Sequence, residues 1–525
     1  MKRTGLLILV FTIVHLAFGQ EKIDLEMMKK IREEGMQRSR VMNIAFHLTD
    51  VTGPRLTASP GYMKAANWAR EELTRMGLSN ANLEAWGEFG KGWDQRYSYV
   101  AMISPYYTPL IAVPRAWTGS TPGKGPVREE VVIIKAKDTV ELMQYAGKIK
   151  GKIVMTPVND QLKPSFEPDA VRHADSSLAR LEASPGSIPQ QNRGNRFEGD
   201  SAQRLAMLNR QALQRKMNEF YANEKPALVL SMNPRGTDGT IFVGSGGSYN
   251  KDAPLLPAMV MLSSDDYLRI QRLLEAGVKV ELEADIKTNF YTDDLKGYNV
   301  IAEIPGTDPL LKDEIVMLGG HLDSWHGATG ATDNASGCAV MMEAMRILKS
   351  LNVQPRRTIR IALWSGEEQG LHGSRNYVKN HFADPVKMEL KPDHAKVSAY
   401  YNLDNGTGRI RGIYAQGNKL AAPIFKEWLE PFADLGAKTV TLNNTGSTDH
   451  VAFDAVGIPG FQFIQDWIEY NTRTHHTNMD TYDHLVPDDL KQASVIVAAF
   501  VYNTAQRDEK LPRKELPKAQ PTRGF

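Results

Sequence analysis

Between residues 298 and 502, short apolar runs alternate with stretches whose apolar positions recur three and four apart. Ile315-Val316-Met317-Leu318-Gly319-Gly320 leads into His321 and Asp323. Ile359-Arg360-Ile361-Ala362-Leu363-Trp364 leads into Ser365-Gly366-Glu367-Glu368, and Val397-Ser398-Ala399-Tyr400-Tyr401-Asn402-Leu403 into Asp404. The intervening patterns at 335–351 and 371–381 have helical period. Strands alternating with helices predict an α/β fold with a mixed, mostly parallel sheet sandwiched by helices. In open sheets of this kind ligands bind beyond the carboxyl ends of the strands. Three successive strands therefore deliver a histidine, a pair of glutamates and an aspartate to one sheet edge.

The rest of the chain has a different texture. Residues 24–86 read as helical, interrupted by a loop rich in breakers at 51–60. From about 117 to 285, short β-rich runs (131–134, 152–156, 227–231, 258–262) alternate with glycine-rich turns, and 236–248 reads as loop. A polar, Gln- and Arg-rich stretch at 172–224 predicts exposed helices with a flexible middle at 184–199. The expected partition is a signal segment at 1–19, an N-terminal part of the main domain at 20–116, an insertion at 117–287, the main domain at 288–507 and an exposed, proline-bearing tail at 508–525.

Composition narrows the class. A length of 525 residues is too great for one core. Sixty-three Lys+Arg against 61 Asp+Glu gives no electrostatic reason to expect nucleic acid. Lys2 and Arg3 precede an apolar run from 6 to 18 that is too short to span a bilayer and ends Ala17-Phe18-Gly19. That is a secretory signal cut before Gln20, with a membrane anchor as the alternative. Its removal takes two positive charges away and leaves a mature chain of zero formal charge. A single cysteine, Cys338, excludes zinc ribbons, iron–sulfur clusters and internal disulfides, and suits a secreted or periplasmic bacterial location with no lasting membrane anchor.

The chemistry lies at the sheet edge. Gly330-Ala331-Thr332-Asp333-Asn334-Ala335-Ser336-Gly337 joins the first strand to its helix, so Asp333 faces the same pocket while capping. The loop at 471–481, with His475 and His476, can bring a second imidazole there. Two imidazoles with several carboxylates suit a pair of divalent ions such as zinc, one carboxylate bridging them and another left free as a base. Adjacent residues at a strand end point in different directions, so of Glu367 and Glu368 one can bind metal while the other faces water. A solvated edge with structural ion pairs is the plainer alternative. No His-Glu-x-x-His helix, nucleophile elbow or phosphate-binding glycine loop occurs.

His321-Leu322-Asp323-Ser324, the 330–337 loop, Ser365-Gly366-Glu367-Glu368-Gln369-Gly370-Leu371-His372-Gly373-Ser374, Asn402-Leu403-Asp404 and His476-Thr477-Asn478-Met479-Asp480-Thr481 occur in that order. Together they resemble the co-catalytic di-zinc exopeptidases: leucyl-type aminopeptidases, plasma glutamate carboxypeptidase (carboxypeptidase Q) and, more distantly, glutamate carboxypeptidase II. The resemblance is specific over 288–505; the middle segment is similar to a protease-associated domain only in texture and position. It implies the zinc-exopeptidase fold with an inserted β-rich domain and two zinc ions per chain. His321 and Asp404 would hold one ion, Glu368 and His476 the other, with Asp333 bridging. Glu367 would be the general base, and Asp323 would orient His321. Asp449 and His450, from Gly446-Ser447-Thr448-Asp449-His450, would lie beside the substrate. His475 is the rival of His476, and His372 receives no role. The implied substrates are peptides with a free terminus, most directly an N-terminal one, with dipeptidase or carboxypeptidase action or a non-catalytic metal protein as alternatives. Whether the insertion forms a lid or a homodimer surface stays open.

Overall fold

The computed structural model describes residues 21–186 and 201–519, with only the backbone for 201–211. The expected signal segment and most of the expected flexible stretch at 184–199 lie outside the described residues. No described helix is long and apolar enough to cross a membrane.

Eight strands build the main sheet: β1 (Ser79–Glu88), β2 (Lys296–Ile304), β3 (Ile315–His321), β4 (Thr358–Trp364), β5 (Val397–Asn402), β6 (Ile410–Tyr414), β7 (Thr439–Thr441) and β8 (Gly460–Gln465), in the order β1-β2-β4-β3-β5-β8-β6-β7. The centre of the sheet, β4-β3-β5-β8, is parallel; β1 and β2 at one side and β6 on β8 add antiparallel pairs. The alternation within each strand decides what each face packs on. In β3, Val316 and Leu318 face a layer made by helices Leu25–Gln37, Pro60–Arg75, Ser336–Ser350 and Pro487–Gln506. Ile315 and Met317 face Tyr377, Phe382 and Phe453 on the other side. Both faces are covered, so the runs between Ile315 and Gln465 are near-continuously apolar, as a buried parallel sheet requires.

The second sheet also has eight strands, in the order Thr108–Pro109, Gly92–Ser104, Glu281–Tyr291, Val127–Ile133, Ile153–Met155, Leu228–Ser231, Met259–Leu262 and Ala112–Pro114. It has its own core around Met102, Ile153, Leu230, Val260 and Leu282. This sheet starts at Gly92, before the expected boundary at 117, because Gly92–Ser104 pairs along its whole length with Glu281–Tyr291 rather than with the main sheet. Two further expectations are corrected. The helical reading to 86 overruns β1, where Ala81, Leu83 and Ala85 alternate with polar residues at period two. The tail is tied down over its first part: Leu511 is buried, and Arg513 Nη2 donates to the carbonyls of His394 and Val397 (both 2.7 Å). An apolar leucine and backbone acceptors at hand outweigh the proline-rich composition. Helices Asp175–Glu182 and Ser201–Glu224 occupy the stretch expected to be helical.

Candidate active site

The carboxyl ends of β3, β4 and β5 and the loop after β8 bring the predicted residues together. His321 closes β3, and its Nε2 lies 3.1 Å from Asp404 Oδ1 and 3.3 Å from Asp333 Oδ1. His476 Nε2 lies 2.8 Å from Glu368 Oε2 and 3.2 Å from Asp333 Oδ2. Asp333 thus turns one oxygen to each imidazole and is shared by two groups of three. Its position follows from a close approach: Gly337, in the first turn of helix Ser336–Ser350, lets Leu403 O come so near that a Cβ would lie 2.4 Å from it. The helix start is pressed onto the end of β5, with the loop that carries Asp333 beside Asp404.

The surroundings hold these groups in place. Asp323 is fully buried behind the site. Its carboxylate accepts the N–H groups of Glu367 and Glu368 (3.3 Å each) and the Thr57 hydroxyl (2.9 Å), which in turn accepts from Gly366 N–H (3.1 Å). His321 Nδ1 sits 3.0 Å from the backbone carbonyl of Asp323 and 3.8 Å from its carboxylate. The imidazole is therefore oriented through that carbonyl, while the carboxylate sets the backbone of the two glutamates. Asp480 accepts Thr332 N–H (2.6 Å) and Asp333 N–H (3.0 Å), and the Tyr470 hydroxyl donates to Asp333 Oδ1 (3.0 Å). Tyr470 also packs against His475, with ring centroids 4.6 Å apart. His475 Nε2 lies 3.8 Å from Asp333 Oδ2, farther than His476.

Beneath the loop joining His321 to Asp333 lies Arg55, with no exposed surface. Its Nε donates to Leu322 O (2.7 Å), Nη1 to Leu48 O (2.6 Å) and to Thr329 O, and Nη2 to Gly330 O (2.7 Å). The guanidinium therefore staples both ends of the 322–330 loop through carbonyls alone. Gly330 has φ +61°, and a Cβ there would meet the Ser324 side chain at 2.3 Å. Arg55→Met would leave the carbonyls of Leu322 and Thr329 without donors, since Leu48 O keeps the Thr52 hydroxyl and Gly330 O the Ala335 N–H, and about 2 kcal/mol of stability or more should be lost. Urea denaturation checks this; a loss below about 1 kcal/mol would contradict it.

Asp449 and His450, expected beside the substrate, are both fully buried. His450 Nε2 turns away to Gln416 Nε2 (2.7 Å) and Thr445 O (3.2 Å), and burial lowers its pKa to about 4. Asp449 lies behind the site, its carboxyl raised to about 7 by burial. Cys338 packs against the carbonyl of His321 (3.0 Å) on the helix beside the pocket, its thiol pushed up to about 12 by burial. His372 takes no place in the ligand cluster: its Nε2 lies 3.2 Å from the Tyr249 hydroxyl and its ring stacks on Trp86.

The electrostatics favour a cation. Burial raises the carboxyls of Glu367 and Glu368 well above the usual range; Asp404 and Asp449 add to this for Glu367, and Asp333 for Glu368. For Asp333, burial is outweighed by the hydrogen bond from His321 and the charges of His475 and His476, which hold it low. Burial would lower the pKa of His321, but Asp404 and Glu367 raise it well above its ordinary value. Asp333 Oδ2 and Glu368 Oε1 are buried and accept no hydrogen bond among the described residues. Carboxylate lone pairs facing imidazole nitrogens, with no donor between them, are what a divalent ion takes up, so these residues fit zinc.

A cluster of this make-up, at the head of a largely parallel sheet, is suited to holding divalent ions. Residues 299–501 match the model of Peptidase family M28. The chain is 25% identical over 468 residues to carboxypeptidase Q of Mus musculus, covering 89% of this chain and 86% of that one. It is 28% identical over 371 residues to aminopeptidase YwaD of Bacillus subtilis, covering 65% and 75%. Among solved structures, the Peptidase M28 precursor from Shewanella amazonensis superposes with a TM-score of 0.64 at 24% identity, over 94% of this chain and 99% of that one. A zinc aminopeptidase from Bacillus subtilis gives 0.54 at 18% identity, over 89% and 95%.

Proposed function

We propose that the protein is an exported zinc-dependent exopeptidase with two metal ions per chain, hydrolysing peptide bonds at a free terminus and chiefly removing an N-terminal residue. The observation that carries this reading is the placing of Asp333. One oxygen faces His321, which is beside Asp404; the other faces His476, which is beside Glu368. His321 and Asp404 would hold one ion, His476 and Glu368 the second, and Asp333 both. The match of residues 299–501 to Peptidase family M28 and the likeness to a zinc aminopeptidase support it.

Two divalent ions held by these residues would supply polarisation of the scissile carbonyl and a more acidic water. Glu367 is the remaining carboxylate at the edge, and its side chain makes no hydrogen bond among the described residues. It takes the proton of the attacking water and returns it to the leaving amine. Its setting is fixed from behind, because Asp323 holds both glutamate N–H groups and keeps the base and its metal-binding neighbour apart. The similarity to aminopeptidase YwaD and the likeness to a zinc aminopeptidase favour a free N-terminus.

A carboxypeptidase-type action is the second reading, favoured by the similarity to carboxypeptidase Q over 89% of the chain. Aminoacyl anilides, unblocked dipeptides and N-blocked dipeptides separate the two. Hydrolysis of the first two with the blocked peptides resistant is the expected result. Cleavage of blocked dipeptides with the anilides untouched would replace N-terminal by C-terminal action.

A further inference from the structure

The inserted domain reaches the ligand cluster through its loop between strands Leu228–Ser231 and Met259–Leu262. Residues 241–243 run antiparallel to 476–478, with Phe242 opposite Thr477. Val243 N–H donates to His476 O (2.8 Å) and Asn478 N–H to Ile241 O (3.1 Å). The Asn478 side chain closes the ladder: its Oδ1 accepts Ile241 N–H (2.7 Å) and its Nδ2 donates to Gly239 O (3.1 Å). Arg235 braces the far end, its guanidinium 4.1 Å over the Phe242 ring and its Nη2 3.3 Å from Asn471 O.

This ladder matters because of the backbone it holds. His476 has φ +60°, in the left-handed region that residues with a side chain seldom occupy. Such a conformation persists only where the surroundings over-determine it. Within its own loop, Thr477 Oγ1 is bonded to Arg473 O and Met479 N–H, but the carbonyl of His476 itself is taken by the inserted domain. The other imidazole is differently supported. His321 is the last residue of β3 and is paired in register with Trp364 of β4, inside the main sheet.

Resting on the two-metal reading above, we infer that residues 239–243 of the inserted domain are a positioning strand for His476. The ion held by His476 and Glu368 is then bound tightly only while the inserted domain is docked, whereas the ion held by His321 and Asp404 is indifferent to it. The insertion thus acts in metal retention through one ladder, and Asn478 and Arg235 are positioning residues that touch neither metal nor substrate.

The test is Zn(II) titration of the full-length protein against a competing chelator, resolving two affinities, for the wild type, Asn478→Ala and Arg235→Ala. Groups that orient a metal ligand from outside typically matter 10–100-fold in affinity. Asn478→Ala should weaken one zinc site by that factor and leave the other within about twofold, with faster amide exchange at 476–478. Arg235→Ala should move the same site in the same direction by less, and carries the test if the first variant does not fold. Two unchanged affinities, or two that fall equally, would overturn the inference, since a merely structural loss affects both sites alike. A wild type that takes up no zinc would instead remove the two-metal reading, and the inference with it.

Discussion

Glu367→Gln should keep both metal ions and lose hydrolysis by about 10³-fold in kcat, with KM little changed. The substitution is nearly isosteric, and the Glu367 side chain is hydrogen-bonded to nothing among the described residues, so the fold has little reason to respond. The main-chain bond from its N–H to Asp323 Oδ1 does not depend on the side chain. What disappears is a carboxylate with no ion-pair partner among the described residues, and an amide cannot accept the proton of water at neutral pH. Steady-state kinetics with metal content measured on the same sample decides it. A variant within tenfold of wild-type kcat would exclude Glu367 as the base, and one that has lost metal would show it to be a ligand.

Asp333→Ala should lose both ions together. Its Oδ1 stands 3.3 Å from His321 Nε2 and its Oδ2 3.2 Å from His476 Nε2, so truncation empties one position in each trio. It also leaves the Tyr470 hydroxyl without its acceptor in a buried place. Asp404→Ala is the contrast, since it touches His321 alone and should cost one ion. Elemental analysis after desalting reads both. Bound ligand stabilises the folded state by about 2.7 kcal/mol at a hundred times its dissociation constant, so chelator should lower the melting temperature of the wild type and leave Asp333→Ala unmoved. Retention of both ions by that variant would end the bridging assignment.

The main sheet was legible because burial on both faces forces unbroken apolar runs, and because ionisable residues stand out where those runs stop. His321, Glu368 and Asp404 were readable for that reason. Asp333 and His476, which lie on loops, needed the wider motifs around them. The boundary of the second sheet was not legible, since Gly92–Ser104 carries polar residues at Asp94, Gln95 and Arg96 and finds its partner near residue 285. Arg55, Thr57 and Tyr470 left no signal either. The first two act across more than 260 positions on carbonyls, carboxylates and N–H groups, and hydrogen bonds to the backbone put no constraint on the sequence at the other end. Asn478 stood inside a readable motif, but its partners at 239 and 241 belong to a loop whose composition says only that it turns.

The pairing of Gly92–Ser104 with Glu281–Tyr291 has a consequence for the order of folding. Strand β1 ends at Glu88, and its partner β2 starts at Lys296, so their antiparallel pairing spans a loop of roughly 200 residues. The two-stranded neck brings Gly92 beside Tyr291. Once the inserted domain has formed, the free chain left to close between β1 and β2 shrinks to a few residues on either side. By the logarithmic dependence of closure entropy on loop length, that lowers the cost of joining β1 to the sheet by about 3 kcal/mol. The insertion is thereby a scaffold for assembling the N-terminal edge of the main sheet, and a chain without it would have to meet that entropy unaided.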